Sequence, residues 1–277
     1  MTWIITTDMD GTLLNHDNYR WQSAKPCLNL LQRLDIPVVL NTSKTYAEVK
    51  SWVTELDISH PFIVENGSAI YCPEDYFTAQ DFQSCQVAVS VKDGFTAIEL
   101  GVDITELLQF KSNVAPQLES LVECSLDRAI EITGLSAKEA ADAQNRAYTL
   151  PIYLDQAVDL NALVQATENT AIQIVKGGRF AHLMGQCDKA KAIQIFQSLM
   201  TSKTNMTQKI IALGDSGNDR AMLEHADQAI IIKNHKSNWL AIHSETAIQT
   251  NQQAPEGWVE GIKKVLEDEY PEFKELI

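Results

Sequence analysis

Residues Trp3-Ile4-Ile5-Thr6-Thr7-Asp8-Met9-Asp10-Gly11-Thr12 carry the reading of this chain. Trp3 to Thr6 is a short apolar run of the kind that forms a buried strand. Two carboxylates follow, Asp8 and Asp10, two residues apart. On an extended chain they point the same way, and Gly11 then lets the backbone turn sharply. Such crowding of negative charge is costly without a cation between the acids. A hard divalent ion with oxygen ligands, magnesium above all, suits the pair. One aspartate could attack a phosphorus atom and the other donate a proton to the leaving oxygen. Taken alone, the segment can also be read, less readily, as an Asp-Gly turn with solvated acids.

Outward from this stretch, four further apolar runs read as buried parallel strands: Pro37 to Leu40, Phe62 to Val64, Ile210 to Leu213 and Ala229 to Ile232. Helical spacing lies between them. Val49, Trp52, Val53 and Leu56 form one helix face, and Ala192, Ile193, Phe196 and Met200 another. Alternation of strand and helix predicts an α/β fold, a Rossmann-like parallel sheet with helices on both faces. From about Cys85 to Gln186 the pattern changes. Strand-like pieces (Val87 to Val91, Ala97 to Leu100, Ile172 to Val175, Phe180 to Met184) mix with acidic helical stretches at Ile104 to Phe110 and Ala137 to Gln144. A second α/β unit inserted into the first is expected, with the core in 1–84 and 187–277 and an inserted cap in 85–186.

Three more segments fall where strands end or helices begin, the edge at which open parallel sheets bind ligands. Asn41-Thr42-Ser43-Lys44 follows the second strand. Its hydroxyls could cradle phosphate, or Thr42 or Ser43 could simply cap the next helix. Asp188-Lys189-Ala190-Lys191 opens a helix with a lysine opposed to the helix dipole. That is unfavourable for stability and useful for gripping phosphate. Gly214-Asp215-Ser216-Gly217-Asn218-Asp219 supplies two further acids and an amide at a strand–helix junction, fit for completing a metal site or merely a polar loop.

The bulk properties narrow the choice. The 277 residues are 45% hydrophobic and 21% charged, a globular composition, with a net charge of −15. So acidic a surface repels nucleic acid, and an anionic substrate needs local cations or a metal. The five cysteines (Cys27, Cys72, Cys85, Cys124, Cys187) show no C-x-x-C pair, which points to reduced thiols and a cytoplasmic protein. The N-terminus opens on a strand-like run, so no signal peptide is expected. No apolar stretch of about 18 residues predicts a membrane span.

Together and in this order, the four segments resemble the motifs of the haloacid dehalogenase superfamily of phosphohydrolases. The resemblance covers the core, and it implies the following roles. Asp8 is the nucleophile and Asp10 the general acid/base. Thr42, with Ser43, and Lys189 hold the phosphoryl group. Asp8, the carbonyl of Asp10, and Asp215 bind Mg2+, while Asp219 supports the metal site from behind. Asn218 touches phosphate or a metal-bound water. Asp at position 10 separates phosphatases from the ion-pumping relatives, which carry threonine there; a mutase stays open on these residues.

Longer runs are similar to the mannosyl-3-phosphoglycerate phosphatase family. They are Val38 to Thr45, His60-Pro61-Phe62-Ile63-Val64-Glu65-Asn66-Gly67-Ser68-Ala69-Ile70-Tyr71, Ile132-Thr133-Gly134-Leu135-Ser136, and Gly177-Gly178-Arg179-Phe180-Ala181-His182-Leu183-Met184-Gly185. This implies a sugar–phosphoglycerate substrate. Arg179 is then the candidate for its carboxylate, and His182, Glu65 and Asn66 are candidates for substrate contacts. Three residues separate Arg179 from His182, which on a strand places them on opposite faces. The sequence departs from the family run Arg-Glu-Tyr-Ser-Glu-Pro: it reads Arg146-Ala147-Tyr148-Thr149-Leu150-Pro151, with Ala147 and Leu150 in place of acids. A phosphatase of broader sugar-phosphate specificity and a non-catalytic phospho-sugar sensor are the other readings.

Overall fold

The structure, a computed structural model, describes residues 2–154, 160–176 and 179–276. Gly177 and Gly178 lie outside them. Among the described residues the strands are β1 (Thr2–Thr7), β2 (Val38–Leu40), β3 (Phe62–Val64), β4 (Ala69–Pro73), β5 (Ser90–Lys92), β6 (Phe95–Glu99), β7 (Thr149–Tyr153), β8 (Ile172–Lys176), β9 (Phe180–Gly185), β10 (Gln208–Gly214), β11 (Gln228–Ile231) and β12 (Ile248–Gln249). The helices are α1 (Lys25–Arg33), α2 (Tyr46–Glu55), α3 (Ala79–Ser84), α4 (Ile104–Val114), α5 (Leu126–Thr133), α6 (Ala137–Gln144), α7 (Asn161–Thr167), α8 (Lys189–Thr204), α9 (Arg220–His225) and α10 (Glu256–Leu266).

The core is a parallel sheet in the order β12-β11-β10-β1-β2. The centres of its strands are largely apolar because both faces are covered. One face packs on α1 and α10 through Ile5, Leu31, Leu213, Trp258 and Ile262; the other packs on α8 and α9 through Ile4, Ala212, Ile193, Phe196 and Leu223. Register decides what this sheet presents. Thr7 pairs with Leu213 on one side and Leu40 on the other. The chain therefore leaves β1, β2 and β10 at the same level, and the Asp8, Thr42 and Asp215 segments emerge side by side.

Phe62 to Val64 is a strand, but not a parallel one along its length. It meets the core sheet at a single parallel bridge, Ile63 to Asn41, and pairs antiparallel with β4. The cause is the turn that follows. Glu65, Asn66 and Gly67 all have positive φ, at 49°, 59° and 91°, and fold the chain back on itself. Gly67 has a second constraint: a Cβ there would sit 2.1 Å from the carbonyl oxygen of Asp188, at the entry to α8. Gly67→Ala is therefore expected to destabilise the protein by about 3 kcal/mol. Urea denaturation would measure it, and a cost below about 1 kcal/mol would show that the backbone yields.

The hairpin β5–β6 joins β4, in the order β3-β4-β6-β5. These strands lie beyond residue 85, yet they belong to the sheet that starts in the core. The expected strand from Val87 to Val91 shrinks to Ser90–Lys92, with Val91 80% exposed. The turn Asp93-Gly94, both at positive φ, sets that register as a two-residue hairpin loop. A separate antiparallel sheet, β7-β9-β8, carries α4 to α7 and has its own apolar clusters. The chain passes into this unit at Gly101 and out at Gly185. A Cβ on Gly185 would come 3.1 Å from Cα of Gly101, so the two passing strands touch backbone to backbone.

Candidate active site

Asp8 sits just past the end of β1 and is 5% exposed. Lys189, the first residue of α8, is fully enclosed and gives Nζ to Asp8 Oδ1 at 2.6 Å and to Asp219 Oδ1 at 2.7 Å. Asp188 caps that helix through Lys191 N–H, so the lysine at its first position is free to turn inward. The other oxygen of Asp219 accepts N–H bonds from Asp215 and Ser216. Asp215 lies between, 3.3 Å from the Thr12 hydroxyl. Gly11 makes room here: a Cβ on it would meet Asp215 Oδ2 at 2.8 Å.

Carboxylate oxygens of Asp8, Asp215 and Asp219 lie within 4.8 Å of one another. Three buried acids thus face one lysine. Burial, together with the neighbouring acids, pushes the Asp8 carboxyl up to about 7 despite Lys189. Burial, Asp219 and Asp8 push Asp215 up to about 8. Lys189 stays charged: burial opposes the charge, and Asp219 and Asp8 more than offset it, holding the ammonium above its usual range. A divalent cation is the natural remedy for the remaining negative charge, and this oxygen-only donor set fits a hard one. Both oxygens of Asp219 already have partners, which leaves Asp8 and Asp215 as the acids best placed to bind it.

A pH dependence follows. Folded Asp8 and Asp215 retain protons up to about 7 and about 8, whereas the unfolded chain releases them near the ordinary 3.8. Between those values the folded state binds more protons, so stability falls as pH rises. Lys189 does not alter the sign, because its stabilisation is intact below 10.5. The metal-free protein is expected to lose roughly several degrees of Tm between about pH 5 and about pH 8.5, with excess Mg2+ flattening the profile. Scanning calorimetry with and without a chelator checks this; a flat metal-free profile contradicts it.

The remaining expected residues divide into two groups. Asp10, Ser43, Asn66, His182 and Asn218 line, with Asp8, a cavity of 390 Å³. Thr42 is buried and its Oγ1 accepts the Lys44 N–H; helix α2 is capped instead by Thr45, in a capping box with Glu48, so neither Thr42 nor Ser43 is spent as a cap. Asn218 gives Nδ2 to Asn66 Oδ1 at 3.0 Å, tying the loop after β10 to the β3–β4 turn. His182, on β9, lines the same cavity as Asp8 and Asp10. Burial and the charge of Arg146 push its imidazole down to about 3, so it is neutral, and its Nδ1 has no partner among the described residues.

Glu65 belongs elsewhere. Its carboxylate accepts Ala147 N–H at 2.9 Å, Tyr148 N–H at 3.1 Å and the Thr149 hydroxyl at 2.7 Å. It fastens the start of β7 to the core rather than reaching a sugar hydroxyl. Arg179 and His182 line the same 160 Å³ chamber beside Asp10, against the expectation of opposite faces. Arg179 precedes the first residue of β9, so strand alternation does not govern it; its Nη1 donates to the carbonyls of Ile132 and Thr133.

Two cations escaped the sequence reading. Lys44 Nζ lies 2.8 Å from Asp10 Oδ2, and Arg146 Nη1 donates to the Ser43 carbonyl and the Thr149 hydroxyl. Both line the 160 Å³ chamber. The signal for Lys44 was its place two residues past Thr42 on a loop of hydroxyls. Arg146 opens the run Arg146 to Pro151 and keeps the arginine of the family pattern, but its reach depends on how the cap meets the core.

A buried acid cluster at the carboxyl edge of a parallel sheet, under an inserted cap, defines a class, and a family model for haloacid dehalogenase-like hydrolases matches residues 5–255. The chain belongs to that family and is a phosphoric monoester hydrolase. It is similar to the glucosyl-3-phosphoglycerate/mannosyl-3-phosphoglycerate phosphatase of Persephonella marina, with 31% identity over 268 residues, 96% of this chain and 97% of the relative. The protein of the same name from Methanococcoides burtonii is 32% identical over 239 residues, 84% and 85% of the two chains. Among solved structures, the sucrose-phosphatase of Synechocystis matches with a TM-score of 0.58 at 15% identity over 99% of both chains. A haloacid dehalogenase-like hydrolase from Bacillus subtilis gives 0.60 at 18%, over 96% of this chain and 99% of that one. These two share the fold. No helix among the described residues is long and apolar enough to cross a membrane.

Proposed function

We propose that this phosphatase hydrolyses the phosphate ester of a glycosylated 3-phosphoglycerate, mannosyl- or glucosyl-, to the glycosylglycerate and phosphate. The observation that carries the reading is the 160 Å³ chamber beside Asp10, whose walls include Lys44, Arg146 and Arg179. Lys44 is already paired with Asp10, but no acid among the described residues pairs with Arg146 or Arg179, and a simple sugar phosphate has no second anion for them. A phosphoglycerate conjugate has one, its carboxylate, within a few bonds of the phosphorus. The names of the relatives from Persephonella and Methanococcoides point the same way.

Asp8 attacks the phosphorus in line, forming an aspartyl-phosphate as the bond to the glycerate oxygen breaks. Asp10 gives that oxygen a proton, then takes one from the water that hydrolyses the acyl phosphate. Lys189 fixes the Asp8 carboxylate and offsets charge on the transferring group, and Thr42 and Ser43 supply hydroxyls to it. Mg2+, held by Asp8, Asp215 and the Asp10 carbonyl, supplies positive charge to a phosphoryl oxygen when bound. Asp219 holds Lys189 and the loop of Asp215 in place. We further propose that the cap runs from about residue 102 to 186, and that the protein is cytoplasmic, which its five free thiols support.

Phosphate release in Mg2+ from mannosyl- and glucosyl-3-phosphoglycerate, against a panel of sugar monophosphates, is the test. The conjugates are expected to exceed the panel by about 100-fold in kcat/KM. Equal or faster turnover of plain sugar phosphates would establish the broader specificity instead. Binding of the conjugates without phosphate release would make the protein a sensor, and migration of phosphate within the substrate would make it a mutase.

A further inference from the structure

Beside Lys44, a chamber of 270 Å³ lies between α2 of the core and α6 of the cap. Tyr19, Lys44, Glu48 and Leu135 line both this chamber and the cationic one, so the two adjoin. We propose that this outer chamber is the subsite for the sugar ring of the substrate. The proposal rests on the phosphatase reading above and adds where the sugar lies and which side chains select it.

The lining has the chemistry of a carbohydrate site. Tyr19 and Trp52 stand with ring centroids 6.5 Å apart, tilted by 54°. Aromatic walls of this kind take the C–H face of a pyranose, which is apolar although its rim is not. The polar wall holds four acids, Glu48, Glu55, Glu139 and Asp142, and two lysines, Lys44 and Lys138, which stand 3.7 Å from Glu48 and Asp142 respectively. Three of the acids are held in place by one oxygen. Glu48 Oε2 accepts the Thr45 N–H, Glu139 Oε2 the Ser136 N–H and hydroxyl, and Glu55 Oε1 the Trp21 indole. Hydrogen bonds from Ser136 also keep Glu139 below the usual carboxylate range. Ionised carboxylates accept only, and sugar hydroxyls are the donors they suit.

Charge then fixes which end of the substrate goes where. The wall of Arg146 and Arg179 takes the anionic glycerate, while the outer chamber, with four acids against two lysines, keeps a net negative lining that favours a neutral polyol over a second anion. Lys44 Nζ, 2.8 Å from Asp10 and 5.2 Å from the Tyr19 ring centroid, stands between the acid and the aromatic wall, so the two chambers adjoin at this lysine. The chamber needs both bodies, since Leu135, Glu139 and Asp142 come from the cap.

Two conservative variants test this, Trp52→Phe and Glu139→Gln, with Trp52→Ala as the stronger form. The readout is kcat/KM on the preferred glycosyl phosphoester divided by that on its sugar-free counterpart, 3-phosphoglycerate for a phosphoglycerate conjugate. Trp52→Ala should lower the ratio at least tenfold, and Glu139→Gln about fivefold, mainly through KM. A ratio unchanged in all three overturns the subsite, as does a wild type for which no sugar-bearing ester exceeds its sugar-free counterpart. If the wild type prefers a sugar-bearing ester that lacks the glycerate, and the ratio still collapses in the variants, the subsite stands and only the glycerate assignment falls.

Discussion

Asp8→Asn is expected to lower phosphate release by roughly 10⁴-fold or more while the protein stays folded. The amide matches the carboxylate in size but cannot attack phosphorus. It also removes one of the three crowded acids, and with it part of the repulsion that raises Asp215. In metal-free buffer near pH 8 the variant should therefore melt no lower than the parent, even though Lys189 loses one of its two ionic partners. Loss of activity with a preserved or raised Tm is the signature. Activity within tenfold of the parent would remove Asp8 from the role of nucleophile.

Lys189→Ala should fail differently. Lys189 is the cation between Asp8 and Asp219, and its side chain is fully enclosed. Its removal leaves buried acids without their partner and a void where the stem packed. Breaking a buried pair in this way costs about 3–5 kcal/mol, so both stability and turnover fall. Lys189→Met separates the effects: it refills most of the volume and should recover some stability but none of the activity. Raising Mg2+ should stabilise both variants more than the parent, because the cation then faces less competition from within. Calorimetry across a Mg2+ titration checks the order; a Lys189→Ala protein as stable as the parent would contradict it.

The parts of this site that were legible in the sequence are those set by strand ends. Asp8, Thr42 and Asp215 each stand within two residues of an apolar run, and a parallel sheet must bring such positions to one edge. Lys189 was legible because a cation at the start of a helix works against the dipole and calls for another reason. Other features depend on packing between distant segments. Glu65 reads as a polar turn residue; only the fold shows that it binds Ala147, Tyr148 and Thr149, more than eighty residues away in the chain. Lys44 was in view but gained meaning only from its 2.8 Å approach to Asp10. Chain order alone assigns the β5–β6 hairpin to the insert; its pairing with β4 depends on contacts that only the fold supplies, although Asp93-Gly94 marks a tight turn. β7 was missed because Pro151 argues against a strand; it is tolerated beside β9, on a strand that pairs fully on one side only.

The contact between Gly101 and Gly185 carries one more consequence. The excursion that forms the cap departs and returns at nearly the same point in space, with backbones touching. To the core, then, the cap is topologically equivalent to a short loop, however many residues it contains. Lineages of such enzymes could exchange, enlarge or shed it by recombination at these two glycines without moving a strand of the parallel sheet. Length can therefore change between the two glycines at little cost to the parallel sheet, whereas a side chain at Gly185 cannot be added without parting the two backbones.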